Sequence, residues 1–240
     1  MGSNPASPTM CGRFVGRFDT SDLIAEMLAV EPDLQVTVDP DAPEHTANFN
    51  TAPTQGCLVF TSESGSVIVR SALWGLVPVW AKDSSGAARM INARSETITE
   101  KPSFRNLVPR HRAIVPMTGF YEWDRTDPKV KRPFFVPRAD GRTMWTAGLW
   151  THSPALDGRK SFCIITRDSR ADLAEIHDRS PVQLTIDDAL SWLCDDTPPL
   201  GLLALPDPPA LGPYEVSRRV NSVRNNSADL LEPVEPESLF

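Results

Sequence analysis

The chain has 240 residues, 40% of them hydrophobic and 23% charged, with six Trp and ten Phe. That is ordinary globular usage, too apolar for wholesale disorder, and the length suits one large domain better than two with separate cores. A net charge of −7 argues against a non-specific nucleic-acid coat, although residues 82–138 hold 12 Lys or Arg against 6 Asp or Glu while residues 187–240 hold 3 against 10. The basic middle third either faces phosphates or is a solvated surface on which charges cluster by chance. No run approaches the roughly 18 apolar residues of a membrane span, and the opening MGSNPASPTM has neither a basic start nor an apolar stretch. Cys11, Cys57, Cys163 and Cys194 lie far apart with no CxxC pair, so neither a disulfide framework nor a metal site is readable. The expectation is a soluble, cytoplasmic protein with reduced thiols, no membrane contact and no cofactor.

In chain order, the first expected element is an amphipathic helix in SDLIAEMLAV, capped by Asp19, Thr20 or Ser21. Leu23, Ile24, Met27 and Leu28 form its apolar stripe, and Glu31-Pro32 ends it. Strands rich in β-branched and aromatic residues are expected at 57–61, 66–77, 113–123, 132–137, 143–150 and 161–166. Short helices follow at 170–177 and at 187–194, the latter with an acidic first turn. Six prolines between Cys194 and Pro213 read as a surface excursion, YEVSRRVN as a returning strand, and the acidic, Pro-rich end as a tail. The fold class is α+β: one domain, mostly β, with a mixed, barrel-like sheet and a few short helices. Residues 1–9 read as an extension or tag remnant, 10–234 as the domain and 235–240 as an acidic tail.

The chemistry begins at Met10-Cys11-Gly12-Arg13. An internal Cys is ordinarily a buried structural thiol. If Met10 is the initiator and is removed, Cys11 becomes a 1,2-aminothiol: its amine, with a pKa near 7.7–8.0, attacks an aldehyde to give an imine, and the thiol closes a five-membered ring. Glu122, at the end of an apolar strand between Tyr121 and Trp123, is either a partly desolvated carboxylate suited to proton transfer or an edge-strand partner of an Arg. His177, after a short helix, is either a proton donor and acceptor or a helix-end hydrogen-bond anchor. Asn92 offers an amide to orient an amine or a sugar oxygen, or is simply a turn residue. Arg94 and Arg13 suit bidentate phosphate contact, with Arg17, Arg110 and Arg112 as weaker candidates. Trp80 and Pro53 are candidate apolar groups for unstacking bases, as is Trp74, for which core packing is the stronger rival.

Eight ordered blocks, MCGRF (10–14), NTAPTQ (50–55), WGLVPVWAKD (74–83), INARSET (91–97), RNLVPRHRAIVPMTGFYEW (105–123), AGLW (147–150), IHDRSPVQL (176–184) and VSRRVN (216–221), resemble the SRAP family, the SOS-response-associated peptidase domain. The resemblance implies binding of single-stranded DNA and covalent capture of abasic sites as a thiazolidine on an N-terminal Cys11. It assigns Glu122 to opening the sugar ring, His177 to proton transfer and Asn92 to orientation, and Arg13, Arg94, Pro53, Trp74 and Trp80 to the DNA side. It also implies a weak lyase activity through the imine. His45, His111 and His152 match no catalytic position, and Ser180 stands where the family usually has Met. Two rival readings are a cysteine peptidase using Cys11 and His177, perhaps acting only on its own leader, and a non-covalent single-strand-binding module. A monomer is expected, and the terminal Glu237-Ser238-Leu239-Phe240 loosely resembles a sliding-clamp docking peptide.

Overall fold

The computed structural model describes residues 11–124, 126 and 131–234. The leader 1–9 and the tail 235–240, with its clamp-like terminus, therefore lie outside the described residues. The strands are β1 (Phe14–Gly16), β2 (Val36–Val38), β3 (Asn48–Thr51), β4 (Gly56–Glu63), β5 (Ser66–Trp74), β6 (Asn92–Arg94), β7 (Arg112–Met117), β8 (Gly119–Asp124), β9 (Arg132–Pro137), β10 (Met144–His152), β11 (Lys160–Asp168), β12 (Arg179–Pro181), β13 (Gln183–Leu184) and β14 (Tyr214–Glu215). The helices are α1 (Thr20–Val30), α2 (Ala171–Ala174) and α3 (Ile186–Cys194), with several 3₁₀ turns between.

Two sheets result. The larger runs β12-β11-β10-β7-β4-β5-β2 with β13 and β6 attached, and a parallel pairing of β11 with β5 closes β11, β10, β7, β4 and β5 into a ring. The closure involves only Ser161 and Phe162 against Leu73 and Trp74, so the ring is barrel-like without being a regular barrel. The smaller sheet runs β14-β9-β8-β1-β3. The pleat explains why the ring strands read as long apolar runs: both faces are covered. Phe60, Ile114, Ala147, Leu149, Cys163 and Ile165 face a core shared with Leu23 and Met27 of α1 and Trp192 and Leu193 of α3. Their neighbours Val59, Val115, Phe162 and Ile164 face a second core that also receives Cys11, Phe14, Phe120 and Leu173.

The α+β expectation, the amphipathic helix and its buried Leu23 and Met27 are observed. Asp19 holds the N-cap position of α1, but its side chain makes no capping hydrogen bond. The strand expected at 113–123 is two strands, because at Thr118 the chain crosses between the sheets and its N–H donates to Val15 O at 2.8 Å. The helix expected at 170–177 is α-helical only over α2, and the strand expected in YEVSRRVN is confined to β14 before a 3₁₀ turn at Arg218–Asn221. Gly119 opens β8 where backbone and ring crowd together. A Cβ there would sit 2.5 Å from Phe135 Cζ and 2.9 Å from Val136 O, so only glycine allows this approach.

Two of the candidates named for the DNA side are interior, Trp74 as its core-packing reading has it and Arg112 against expectation. Trp74 is fully buried, packs edge-on against Phe14 with centroids 4.9 Å apart, and donates its Nε1–H to Ile91 O at 3.1 Å. No face of it remains for a base. Arg112 is buried as well. Its guanidinium donates to Val108 O (3.1 Å), Pro109 O (2.6 Å), Trp192 O and Asp195 O, and so gathers carbonyls at the C-terminal end of α3 that the helix cannot satisfy itself. Replacing Arg112 with Ala strands those carbonyls, and thermal denaturation should report a loss of about 1–3 kcal/mol or more. The folded fraction should keep its affinity for single-stranded DNA.

Candidate functional site

The site is assembled from short pieces of backbone that converge on the second core. β1 is held between β8 and β3, with Phe14 opposite both Phe120 and Thr51, and Tyr121 N–H donates to Arg13 O at 2.9 Å. This pairing carries the preceding Cys11 alongside β8. On β8, Phe120 and Tyr121 point to opposite sides, Phe120 into the second core and Tyr121 into a third cluster with Val15 and Phe135. Glu122 is two residues beyond Phe120 and takes the same side. The Cys11 backbone N–H donates to Glu122 Oε1 at 2.6 Å. Cys11 is 1% exposed and Glu122 2%. Cys11 has φ +35°, in the left-handed region where a residue with a Cβ is strained.

His177 arrives from the opposite side. Leu173 of α2 is buried in the same core, and the His177 N–H donates back to Leu173 O at 2.9 Å. The ring is 3% exposed, with Nε2 3.9 Å from Glu122 Oε2. Nδ1 lies 3.0 Å from the Arg179 N–H and 3.1 Å from an oxygen of the exposed Asp178 carboxylate. Only the first is a hydrogen bond for a neutral ring, which assigns Nδ1 as acceptor and the proton to Nε2, facing Glu122. At 3.9 Å that contact is too long for a hydrogen bond and is electrostatic. The structure thus brings Cys11, Glu122 and His177 together. The Cys11 thiol is pushed well above the usual thiol pKa by burial and then by the Glu122 carboxylate, so at neutral pH the sulfur stays protonated.

Asn92 sits half-buried in β6, opposite Ile164 of β11, next to Ile91 of the same core. Arg94, two residues on, shares its side of the strand and is exposed. Arg110 is exposed and Pro53 half-buried. Trp80 is 69% exposed, the largest apolar side chain offered to solvent. Arg13 donates to Asn50 Oδ1 (2.8 Å) and Val220 O (2.9 Å), so much of its guanidinium is held by the protein itself. A cavity of about 560 Å³, lined by Phe18, Ile24 and His45 among others, touches none of Cys11, Glu122 and His177.

Two positioning residues escaped the sequence reading. Asn50 is buried, accepts from Arg13, and aims its Nδ2 at Val220 O, Ser222 O and Asn225 O, tying the 220–225 turn to β3 and β1. Arg179 is buried and forms a bidentate pair with Glu96 (2.7 and 2.8 Å), a further ion pair with Asp168 and a bond to Thr166 O at 2.8 Å. It links the Asn92 segment to the His177 segment. Their signal was the position of both inside recognisable blocks, NTAPTQ and IHDRSPVQL, but pairings such as Asn50 with Asn225 and Arg179 with Glu96, 175 and 83 residues apart, are invisible in a linear pattern.

A family model for SOS response associated peptidase (SRAP) matches residues 10–223. The chain belongs to the SRAP family. It is 36% identical over 231 residues to the abasic site processing protein YoqW of Bacillus subtilis, covering 93% of this chain and 99% of that one. It is 31% identical to the abasic site processing protein YedK of Escherichia coli, covering 94% and 100%. A crystal structure of a protein from Bacteroides thetaiotaomicron superposes with a TM-score of 0.74 at 23% identity over 94% of this chain and 100% of that one, a likeness of fold. A phage-related protein from Bordetella bronchiseptica superposes with a TM-score of 0.67 at 27% identity, over 87% and 95%.

The clamp by Arg179 has a pH signature. Its hydrogen bonds hold the Glu96 carboxyl below its usual pKa, so the folded state prefers the carboxylate, and the stabilisation present above the ordinary carboxylate range is lost as pH falls through the folded value. In Glu96→Gln this acid-side loss should be smaller than in the wild type when melting temperatures are followed from neutral to acidic pH. Parallel curves for the two proteins would show that the pair is energetically silent.

Proposed function

We propose that this protein captures abasic sites in single-stranded DNA as a covalent adduct through the amine and thiol of Cys11. The observation that carries the reading is the buried Cys11 N to Glu122 Oε1 contact, with His177 on the second carboxylate oxygen. The names of relatives, abasic site processing proteins, supply the substrate class. Once Met10 is removed, the Cys11 ammonium gives its proton to Glu122, leaving a nucleophilic amine. Glu122 then passes that proton to O4′ of the closed sugar as the C1′–O4′ bond breaks, and the C1′ hydroxyl gives up its proton to solvent, which exposes the C1′ aldehyde. The amine attacks C1′, and the carbinolamine loses water to give the imine, with His177 and Glu122 moving the protons. The high thiol pKa fixes the order: nitrogen reacts first, and the thiol adds to the imine afterwards, its proton going to the ring nitrogen. Asn92 orients the amine or sugar, Arg94 and Arg13 contact phosphate, and Trp80 stacks on a base. The imine acidifies C2′–H, so slow β-elimination on the 3′ side accompanies capture. No metal or organic cofactor enters these steps, and the protein acts as a monomer on DNA in the cytoplasm.

A second activity is favoured by one observation. The Cys11 N–H that donates to Glu122 is the leaving nitrogen of the Met10–Cys11 peptide bond, and Cys11 is held at a positive φ that cleavage abolishes. Self-removal of the leader is the peptidase reading reduced to a single turnover: the Cys11 thiol attacks the Met10 carbonyl, Glu122 protonates the departing amine, and water hydrolyses the thioester to free the Met10 carboxylate and restore the thiol.

The nitrogen of Cys11 in the uncleaved chain is an amide whose lone pair is delocalised, and it forms no imine. Intact mass spectrometry should therefore find a denaturation-resistant adduct with abasic single-stranded DNA for a chain beginning at Cys11, and none for verified uncleaved protein or for Cys11→Ala. An adduct on the uncleaved chain would point to a lysine instead. Glu122→Gln, which keeps shape but removes the titrating proton, should slow both formation and reversal of the adduct by about 10²–10⁴-fold with affinity for an unreactive abasic analogue nearly unchanged. Equal rates would take Glu122 out of the mechanism.

A further inference from the structure

A cavity of about 270 Å³ opens beside the His177 segment, between the β11–β12 ladder and the proline-rich stretch 206–211. Arg167 and Arg170 line it, together with Ser180, which pairs with Arg167 across the ladder. Both guanidinium groups turn onto the same acceptor, Leu205 O, at 2.7 and 3.4 Å, which leaves most of their donors uncommitted. Two cations in one place repel unless an anion lies between them. Glu96 and Asp168 pair with Arg179 and attract Arg167 only at longer range, and Asp207, the acid in the lining, forms no ion pair with either arginine. A second feature is independent of the charge. Gln183 also lines the cavity, is 4% exposed, and its Oε1 has no hydrogen-bond partner. Thr146, opposite it on β10, has an unsatisfied hydroxyl as well. Buried polar atoms left this way are destabilising unless something fills the site.

We propose that this cavity takes one nucleotide flanking the captured abasic site, its phosphate on Arg167 and Arg170 and its base edge on the Gln183 carboxamide. The inference rests on the DNA reading above and adds to it a base preference. The features match a nucleotide on three counts. The paired guanidinium groups suit a phosphate, and Pro181 with the prolines of 206–209 gives flat apolar walls for a base. The carboxamide offers an acceptor and a donor on one edge, which fits adenine: N6–H to Oε1 and N7 from Nε2. The volume lies just below the range of sites for drug-sized ligands, as a single nucleotide requires. β12 begins two residues after His177, so a single chain segment joins the cavity to the site, and a contact from one segment predicts a preference on one side of the abasic site only.

The test is equilibrium binding of the full chain to single-stranded oligonucleotides carrying tetrahydrofuran, an unreactive abasic analogue, with the base on each side varied in turn. The expected result is tighter binding with adenine on one side only, by about fivefold or more over the weakest base. Gln183→Leu should erase that preference without changing the salt dependence. Arg170→Ala should weaken binding to all sequences and lower the slope of log affinity against log salt by about one. Arg170 is exposed, so its variant remains informative if Gln183→Leu fails to fold. Equal affinity for all four bases on both sides, or a preference that survives in folded Gln183→Leu, would overturn the base contact. An Arg170→Ala slope equal to wild type would overturn the phosphate contact. The adduct measurement with a chain beginning at Cys11 decides the parent reading separately: adduct without base preference sinks only this pocket, and no adduct sinks both.

Discussion

The buried hydrogen bond from the Cys11 nitrogen to Glu122 is the interaction on which the rest of the site depends. Both partners lie out of water, where a carboxylate is costly unless it is hydrogen-bonded, so the backbone around them has to be held firmly enough to keep the contact made. That is the work of the β1–β8 pairing, of the close approach that only Gly119 permits, and of Trp74, whose ring backs Phe14. The same burial, with the Glu122 carboxylate beside it, raises the thiol pKa.

Around that contact the protein uses arginines as internal fasteners. Arg112 gathers carbonyls at the end of α3, Arg13 is held by Asn50 and Val220, and Arg179 joins the Asn92 and His177 segments through Glu96 and Asp168. A planar guanidinium with five donors suits this task, because it can satisfy several carbonyls and a carboxylate at once. Of the positive charges counted along residues 82–138, Arg112 is buried, while Lys82, Arg89, Arg94, Lys101, Arg105, Arg110, Lys131 and Arg132 are exposed. Arg112 contributes nothing to a field outside the protein, whereas Arg94 and Arg110 do, and the distinction follows from which strand each residue joins.

The long ring strands and the two larger helices were legible because a period of two or of 3.6 is repeated enough times to be seen, as in 66–74 and 160–168. The elements that build the site were not. β1, β3, β6 and β12 have three or four residues each, too few to show any period, and they are strands only because distant partners supply their hydrogen bonds. The same shortness concealed Asn50 and Arg179, whose roles consist wholly of long-range contacts.

The chemical repertoire was in the sequence: a cysteine after a methionine, a carboxylate in an apolar strand, a histidine after a short helix, and blocks whose order is too specific to arise by chance. Which of those groups meet, and which look inward, was decided by the tertiary structure. Trp74 and Trp80 are the same residue type six positions apart, yet one is sealed behind Phe14 and the other is open to solvent. Cys11 and Glu122 touch across 111 residues of chain. The side a strand residue faces depends on the register of its pairing, and register is a property of two strands that neither segment carries alone.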